Sequence, residues 1–345
     1  MRILMCSPAF LPQIGGLEIN TANVARQLVA LDHDVAVVTQ TPGDGPDDFP
    51  FPVVRRPSPA ELLRWTRWCD VFLQQNVSLR GLWPLLLVRR PWAVSHHSWY
   101  CRPDGRRAWQ DRLKRRLLRR AAVSISVSQA MADDLETPST VILNAYRDDL
   151  FRRLPEIERT RDLVFVGRLV SDKGVEVLID ALARLGERGL RPGLTVIGDG
   201  PEAQRILEQA RRLGVADQIE MLGTRTDEEL VRLLNEHRLL VVPSLYQEPF
   251  GIVALEGIAC GCVVVGSAGG GLKEAIGPCG TTFRNGDAAA LADALAGLLA
   301  DPALQLALLR HAPEHLALHR TAVVAAAYAD ALAAVGTWRR EVRRG

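Results

Sequence analysis

Two glutamates, Glu248 and Glu256, flank the run PFGIVAL. Pro249 biases Glu248 toward an extended backbone, and Gly251 permits a turn behind it. A helix starting there leaves the amides of Phe250, Gly251 and Ile252 without intrahelical acceptors. Carboxylates accept hydrogen bonds from hydroxyls, and free amides donate to phosphate or hydroxyl oxygens. Simple dipole stabilisation of a helix start accounts for such acids equally well. Arg168 and Lys173 follow the apolar run Leu163–Val166 and precede a helical pattern. Two cations so placed suit a diphosphate, or form a solvated surface pair. Gly269–Gly271 and Gly15–Gly16 allow close backbone approach or a plain tight turn. Neither is G-x-G-x-x-G, which disfavours a dinucleotide site. His96 and His97 close another apolar run, where a histidine can meet a bound molecule or sit in the core.

These residues fall at the ends of short β-rich runs that alternate with helical patterns. In the first half the strands are Arg2–Ser7, Val35–Thr39, Val53–Arg55, Val71–Gln74, Trp92–Ser95 and Val123–Val127. Helices are expected near Leu17–Leu31, over Pro59–Trp68, near Trp109–Ala121 and from Ser128. In the second half, Leu163–Val166, Leu194–Ile197, Ile219–Leu222, Leu239–Pro243 and Cys262–Val265 are strands. Between them Gly174–Leu185 carries an amphipathic stripe, and Pro201 reads as a helix N1 residue. Thr226 and Glu229 have capping-box spacing for a helix ending at His237. Further helices are expected over Gly251–Ala259, Asp287–Leu299 and the Ala-rich C-terminal segments. Alternation of this kind implies parallel βαβ units, hence an α/β fold of two Rossmann-like domains. Ligands of such sheets bind beyond the carboxyl ends of the strands. The polar stretch Tyr146–Arg161, with Pro155 and no apolar period, separates the halves.

The 345 residues hold three lysines and 39 arginines against 40 acids, for a net charge of +2. So even a balance argues against bulk nucleic-acid binding. Residues 1–145 carry 18 basic and 13 acidic groups, net +5; residues 146–345 carry 24 and 27, net −3. No run reaches the roughly 18 apolar residues of a membrane span. Pro8 and Pro12 make the N-terminus a poor signal peptide. The six cysteines, including the pair Cys260 and Cys262, have no partners spaced for a metal site and read as small buried thiols in a reducing cytoplasm.

Taken in order, FVGRLVSDKGVEVLIDAL, VIGDGPE, LGTRTDEEL and the run Val241–Ile276 resemble the donor domain of glycosyltransferase family 4. The resemblance is strong over residues 163–276. It is weaker in the first half, through Gly15–Glu18 and the segment ending at His97. It implies a GT-B fold, two Rossmann-like domains facing each other across a cleft. Residues 1–150 would be the acceptor-side domain and 151–320 the nucleotide-sugar donor domain, with 321–345 a helix returning toward the first. The implied activity is transfer of a sugar from a nucleotide diphosphate sugar, UDP- or GDP-linked, with retention of configuration. The acceptor would be a glycan, a lipid-linked molecule or a small molecule; no metal or cofactor is implied. By matching positions, Arg168 and Lys173 would hold the diphosphate and Glu256 the ribose hydroxyls. Glu248 and His97 would lie at the donor sugar. The amides of Phe250, Gly251 and Ile252 would contact sugar or phosphate, with Gly16 and Gly270 approaching the donor. Two departures stand out: Asn144–Arg147 replaces the family's N-G-[VI]-D linker motif, and Lys273 replaces the proline of G-G-L-P-E. A non-catalytic sugar-nucleotide or glycan-binding protein of the same fold is the alternative, and a nicotinamide-dependent oxidoreductase a third, disfavoured by the missing glycine fingerprint.

Arg102–Arg120 holds nine basic and two acidic residues, with Trp109, Leu113 and Leu117 at helical spacing. Two readings fit. An ordinary Rossmann helix would pack this stripe on its sheet, with the basic face free. A membrane-surface helix would turn the stripe to lipid, giving peripheral contact at the inner face of a membrane.

Overall fold

The computed structural model describes residues 1–13, 15–43, 48–101 and 108–341. The chain divides into two compact units, one formed by Met1–Ala145 with Arg320–Gly345 and the other by Tyr146–His319.

The first unit is built on a seven-stranded sheet. Its strands are β1 (Arg2–Ser7), β2 (Asp34–Thr39), β3 (Val53–Arg55), β4 (Val71–Gln75), β5 (Trp92–His96), β6 (Val123–Ser126) and β7 (Thr140–Val141). They run parallel in the order β3-β2-β1-β4-β5-β6-β7. β1, β4 and β5 are buried nearly throughout because helices cover both faces of the sheet. The helix Gly16–Ala30 packs against the C-terminal helix Thr321–Glu341. That helix places Val324, Tyr328, Leu332 and Val335 in the core of this unit, one face at helical spacing.

The second unit holds a six-stranded parallel sheet in the order β10-β9-β8-β11-β12-β13. Its strands are β8 (Arg161–Val166), β9 (Leu194–Ile197), β10 (Ile219–Gly223), β11 (His237–Val242), β12 (Val263–Ser267) and β13 (Gly280–Phe283). The expected amphipathic helix forms over Val175–Glu187 and buries Leu178, Ile179, Leu182 and Leu185. The segment before β8 is held to this unit rather than loose. Leu150 and Phe151 are buried, Arg147 pairs with Asp227, and the Leu154 amide donates to Asn235 Oδ1.

In both sheets the strand order reverses beside the first strand, at β1/β4 and at β8/β11. The carboxyl side of such a reversal point is the ordinary ligand position of a doubly wound sheet. Arg168 and Lys173 follow β8, and Glu248 follows β11. The register Leu239↔Leu163 and Leu240↔Val164 makes these two loops neighbours.

Four local expectations need correction. Pro201 is not at a helix N1 position: it sits in a turn, and the helix begins at Ala203. No capping box forms at Thr226, because the Glu229 carboxylate pairs with Arg225 instead. His237 opens β11 rather than closing the preceding helix. Finally, the helix Trp109–Leu118 packs only the end of the predicted stripe, where Leu117 lies against the core. Trp109 is 69% and Leu113 37% exposed, while Arg115 and Leu118 are the buried residues. Within the basic cluster, Arg102–Arg107 lie outside the described residues.

Candidate active site

Glu248 is the hub of the second unit's strand-end cluster. It is 6% exposed, and three donors reach its carboxylate. Lys173 Nζ lies 2.7 Å and Ser244 Oγ 2.6 Å from Oε1, and the Tyr246 hydroxyl donates to Oε2 at 2.6 Å. Ser244 and Tyr246 are four and two residues before Glu248 on the same extended segment. Lys173 comes from the neighbouring loop and also lies over the Tyr246 ring, 5.2 Å from its centroid. Burial, then the Glu248 charge, pushes the Tyr246 hydroxyl up, so it stays a donor.

Backbone geometry brings these groups together. Gly174 has φ +67°, and a Cβ there would stand 2.1 Å from the Pro243 carbonyl oxygen. The Leu245 amide donates to Asp172 O. The loop after β8 is thereby clipped onto the loop after β11, which sets Lys173 against Glu248. Gly270 has φ +75°, and its missing Cβ would lie 2.2 Å from Glu248 O. The next amide, of Gly271, donates to that same oxygen at 2.8 Å. Gly270 therefore makes its close approach to the Glu248 backbone. Gly270→Ala should lower stability by about 2–3 kcal/mol through left-handed strain plus the steric contact. A thermal melt that matches wild type would refute this.

Arg168 is exposed on the loop after β8, and the hydrogen bond from the Leu169 amide to Asp199 O holds that loop to the next one. Its charge reaches the Tyr246 hydroxyl, and among the described residues it enters no ion pair. Gly251 turns the chain at φ 106° into the helix Ile252–Ala259. The Phe250 ring is buried against His319, which leaves its backbone amide as the group that could meet a ligand. Among the described residues the amides of Phe250 and Gly251 find no protein acceptor.

Glu256 sits in the second turn of that helix and is 9% exposed. Burial raises its carboxyl to about 7, opposed by the charge of Arg147. Among the described residues no hydrogen-bond donor reaches it. A buried carboxyl with no internal partner is a marker of a functional position.

In the first unit, Gly16 opens the helix after β1, and His97 follows β5. His96 and His97 divide sharply. His96 has both ring nitrogens bonded, Nδ1 to the Tyr100 hydroxyl at 2.6 Å and Nε2 to Ser124 Oγ at 2.9 Å. The backbone N–H of His97 donates to Asn76 Oδ1 at 2.7 Å. Its Nε2 lies 2.8 Å from Gln75 Oε1 and 2.9 Å from Ser95 Oγ. The Gln75 amide oxygen can only accept, so the proton sits on Nε2 and Nδ1 is a bare acceptor with no partner among the described residues. The Tyr328 hydroxyl, on the C-terminal helix, bonds Ser95 Oγ at 2.6 Å. Burial lowers both rings to about 3. NMR should show the neutral His97 tautomer with Nε2–H from pH 5 to 9. Because the unfolded chain takes up these protons below about 6.5 and the native state does not, stability should fall as pH drops from there toward 3. A His97 titration near 6.5 would contradict the assignment.

Gln75, Asn76, Ser244, Tyr246 and Tyr328 were not singled out from the sequence. Ser244 and Tyr246 had a local signal, their spacing to Glu248. Tyr328 had none, being 233 residues from Ser95.

A family model described as "Glycosyltransferase Family 4" matches residues 14–146, and "Glycosyl transferases group 1" matches residues 147–315. A glycogen synthase of Mycobacterium tuberculosis is 31% identical over 364 residues, covering 88% of this chain and 87% of its own. The chain belongs to glycosyltransferase family 4. A D-inositol 3-phosphate glycosyltransferase of Corynebacterium jeikeium is 38% identical over 168 residues, 46% of this chain and 40% of its own. Among solved structures, sucrose-phosphate synthase from Thermosynechococcus elongatus superposes with a TM-score of 0.80 at 22% identity, covering 100% of both chains. HepE from Anabaena, solved with UDP and glucose, gives 0.80 at 20% identity over 96% of this chain and 99% of its own. The fold is GT-B, and this family-4 chain is a glycosyltransferase.

Proposed function

We propose that this glycosyltransferase moves a hexose from a nucleoside diphosphate sugar, UDP- or GDP-linked, to its acceptor with retention of configuration. The observation that carries this reading is the charge arrangement beyond β8 and β11. An uncommitted Arg168 and a Glu248-bound Lys173 are two cations suited to a diphosphate. Glu256 lacks a partner and suits a ribose diol. The HepE complex with UDP supports a nucleotide in this fold.

In this reading the anomeric C1–O bond to the β-phosphate breaks while the acceptor oxygen bonds to C1 on the same face. The acceptor proton passes to the departing β-phosphate oxygen, so charge and protons balance without a protein nucleophile. Arg168 and Lys173 stabilise the negative charge that grows on the phosphate. The Phe250, Gly251 and Ile252 amides and Gly16 bind donor oxygens, Gly270 fixes the Glu248 backbone beside them, and the bare Nδ1 of His97 accepts from a sugar hydroxyl. Glu248, held by three donors, is a poor nucleophile; it orients Lys173 and keeps acceptor capacity on Oε2 for a sugar hydroxyl. Met1–Ala145 with Arg320–Gly345 supply the acceptor side and Tyr146–His319 the donor side, so that the boundary falls a few residues before the expected position 150. The acceptor belongs to the glycan, lipid-linked or small-molecule classes.

A thermal-shift panel of UDP, GDP, ADP and their sugars selects the donor, because a ligand of the native state raises the melting temperature. Product analysis with that donor should then show nucleoside diphosphate release and a retained anomer. A product of inverted configuration would sink the mechanism. Nucleotide binding without turnover across a broad acceptor panel would favour a binding protein.

A further inference from the structure

The first unit holds a cavity of about 730 Å³ lined by Arg112, Arg115, Arg116, Arg119, Arg120 and Glu136. We propose that this cavity binds the phosphate group of an organic phosphate. The proposal rests on the first unit alone and needs no turnover.

The lining comes from the last turns of the helix Trp109–Leu118, the two residues after it and Glu136. A cation at a helix C-terminus complements the dipole, and one or two suffice. Five guanidinium groups around one cavity repel each other, so their convergence calls for an anion. The local acids do not supply it. Asp111 is engaged by Lys114 at 3.7 Å and by the Ala108 amide at 2.9 Å. Asp134 is engaged by Arg115, which donates to its carbonyl oxygen at 2.6 Å and pairs with its carboxylate. Glu136 is the one acid in the lining among the described residues. Arg112, Arg116, Arg119 and Arg120 are exposed and enter no ion pair among the described residues.

A built element sets this cavity apart from a chance patch of surface arginine. Arg115 is 5% exposed and anchored by Asp134. Its Nε is buried and has no acceptor among the described residues. A guanidinium so fixed is a preorganised donor, with mobile guanidinium groups around it able to close as forks on phosphate oxygens. Among the described residues no apolar side chain lines the cavity, so charge is what it recognises. Its volume exceeds that of a lone anion and matches an ordinary small-molecule site.

Two sources carry this chemistry. One is a soluble phosphorylated molecule. The other is an anionic phospholipid headgroup, for which the exposed Trp109 and Leu113 on the same helix would supply apolar contact.

The test uses the full chain with both diphosphate cations of the donor site removed (Arg168→Ala with Lys173→Ala), so that pyrophosphate does not report on that site. Calorimetry with pyrophosphate, and flotation with phosphatidylglycerol or phosphatidylcholine vesicles, are then compared with and without Arg116→Gln and Arg119→Gln. Both arginines are exposed, and circular dichroism verifies that the variants fold. A loss of about tenfold or more in pyrophosphate affinity supports the site and a soluble ligand. An equal loss confined to phosphatidylglycerol vesicles supports the site and a headgroup, and that binding should weaken with added salt. Unchanged affinity for both probes in the folded variants overturns the proposal. Because the donor site is disabled throughout, neither result depends on whether that site binds nucleotides.

Discussion

Lys173→Ala should lower kcat by roughly 10²–10³-fold. The side chain sits where a departing diphosphate would gather charge; it is 22% exposed, and its ammonium lies 2.7 Å from Glu248. Its removal has a second consequence. Glu248 would keep the hydroxyls of Ser244 and Tyr246 but lose its cation, and a buried carboxylate without a cation destabilises the fold. The partial exposure of Lys173 moderates this to about 1–2 kcal/mol. The two consequences separate in the double variant Lys173→Ala, Glu248→Gln. The neutral amide no longer needs the cation, so the melting temperature should recover while turnover stays lost. Recovery of turnover together with stability would mean that Lys173 serves only to neutralise Glu248, and the phosphate role would fall.

How much of this was legible in the sequence depends on how far apart the interacting residues lie. β8, β9 and β11 are short apolar runs ending at glycine or proline, and their periodicity was enough to place Arg168, Lys173 and Glu248 at strand ends. That they share one end of one sheet follows from the strand order, which puts β11 beside β8. β7 and β13 escaped notice for a physical reason. They are edge strands of two and four residues, and the Thr281–Thr282 core of β13 is too short to show alternation. The helix Trp109–Leu118 misled because its spacing fits either environment. Its stripe begins with Trp109 in the open, and an arginine, tied to Asp134, takes the buried position instead. Spacing reports which residues share a face, and it does not report which face the sheet covers. Likewise, Glu256 stood out by its distance from Glu248, but its raised pKa comes from burial, which residue type cannot reveal.

Glu256 yields the second large effect, because stability and function pull on it in opposite directions. Its carboxyl titrates near 7 in the native state against 4.5 ordinarily. Between these values the native state holds a proton that the unfolded chain has released, so stability falls as pH rises through this window. At 1.36 kcal/mol per unit the full cost, reached above about pH 7, is about 3 kcal/mol. Glu256→Gln removes that cost and should raise stability at pH 8 by up to this amount, with little change at pH 5. A ribose diol, by contrast, donates to the ionised form. Nucleotide binding should therefore expel a proton, and affinity should rise about tenfold between pH 6 and pH 8. In the glutamine variant that rise should vanish, and affinity at pH 8 should drop about 10–100-fold with the loss of charged hydrogen bonds. Subtracting the variant's profile from that of wild type removes the ionisation of the nucleotide phosphates. The signature of a binding residue is thus a chain that melts higher and binds worse. A variant that melts lower with unchanged nucleotide affinity would show Glu256 to be an ordinary buried side chain, and the ribose assignment would fail.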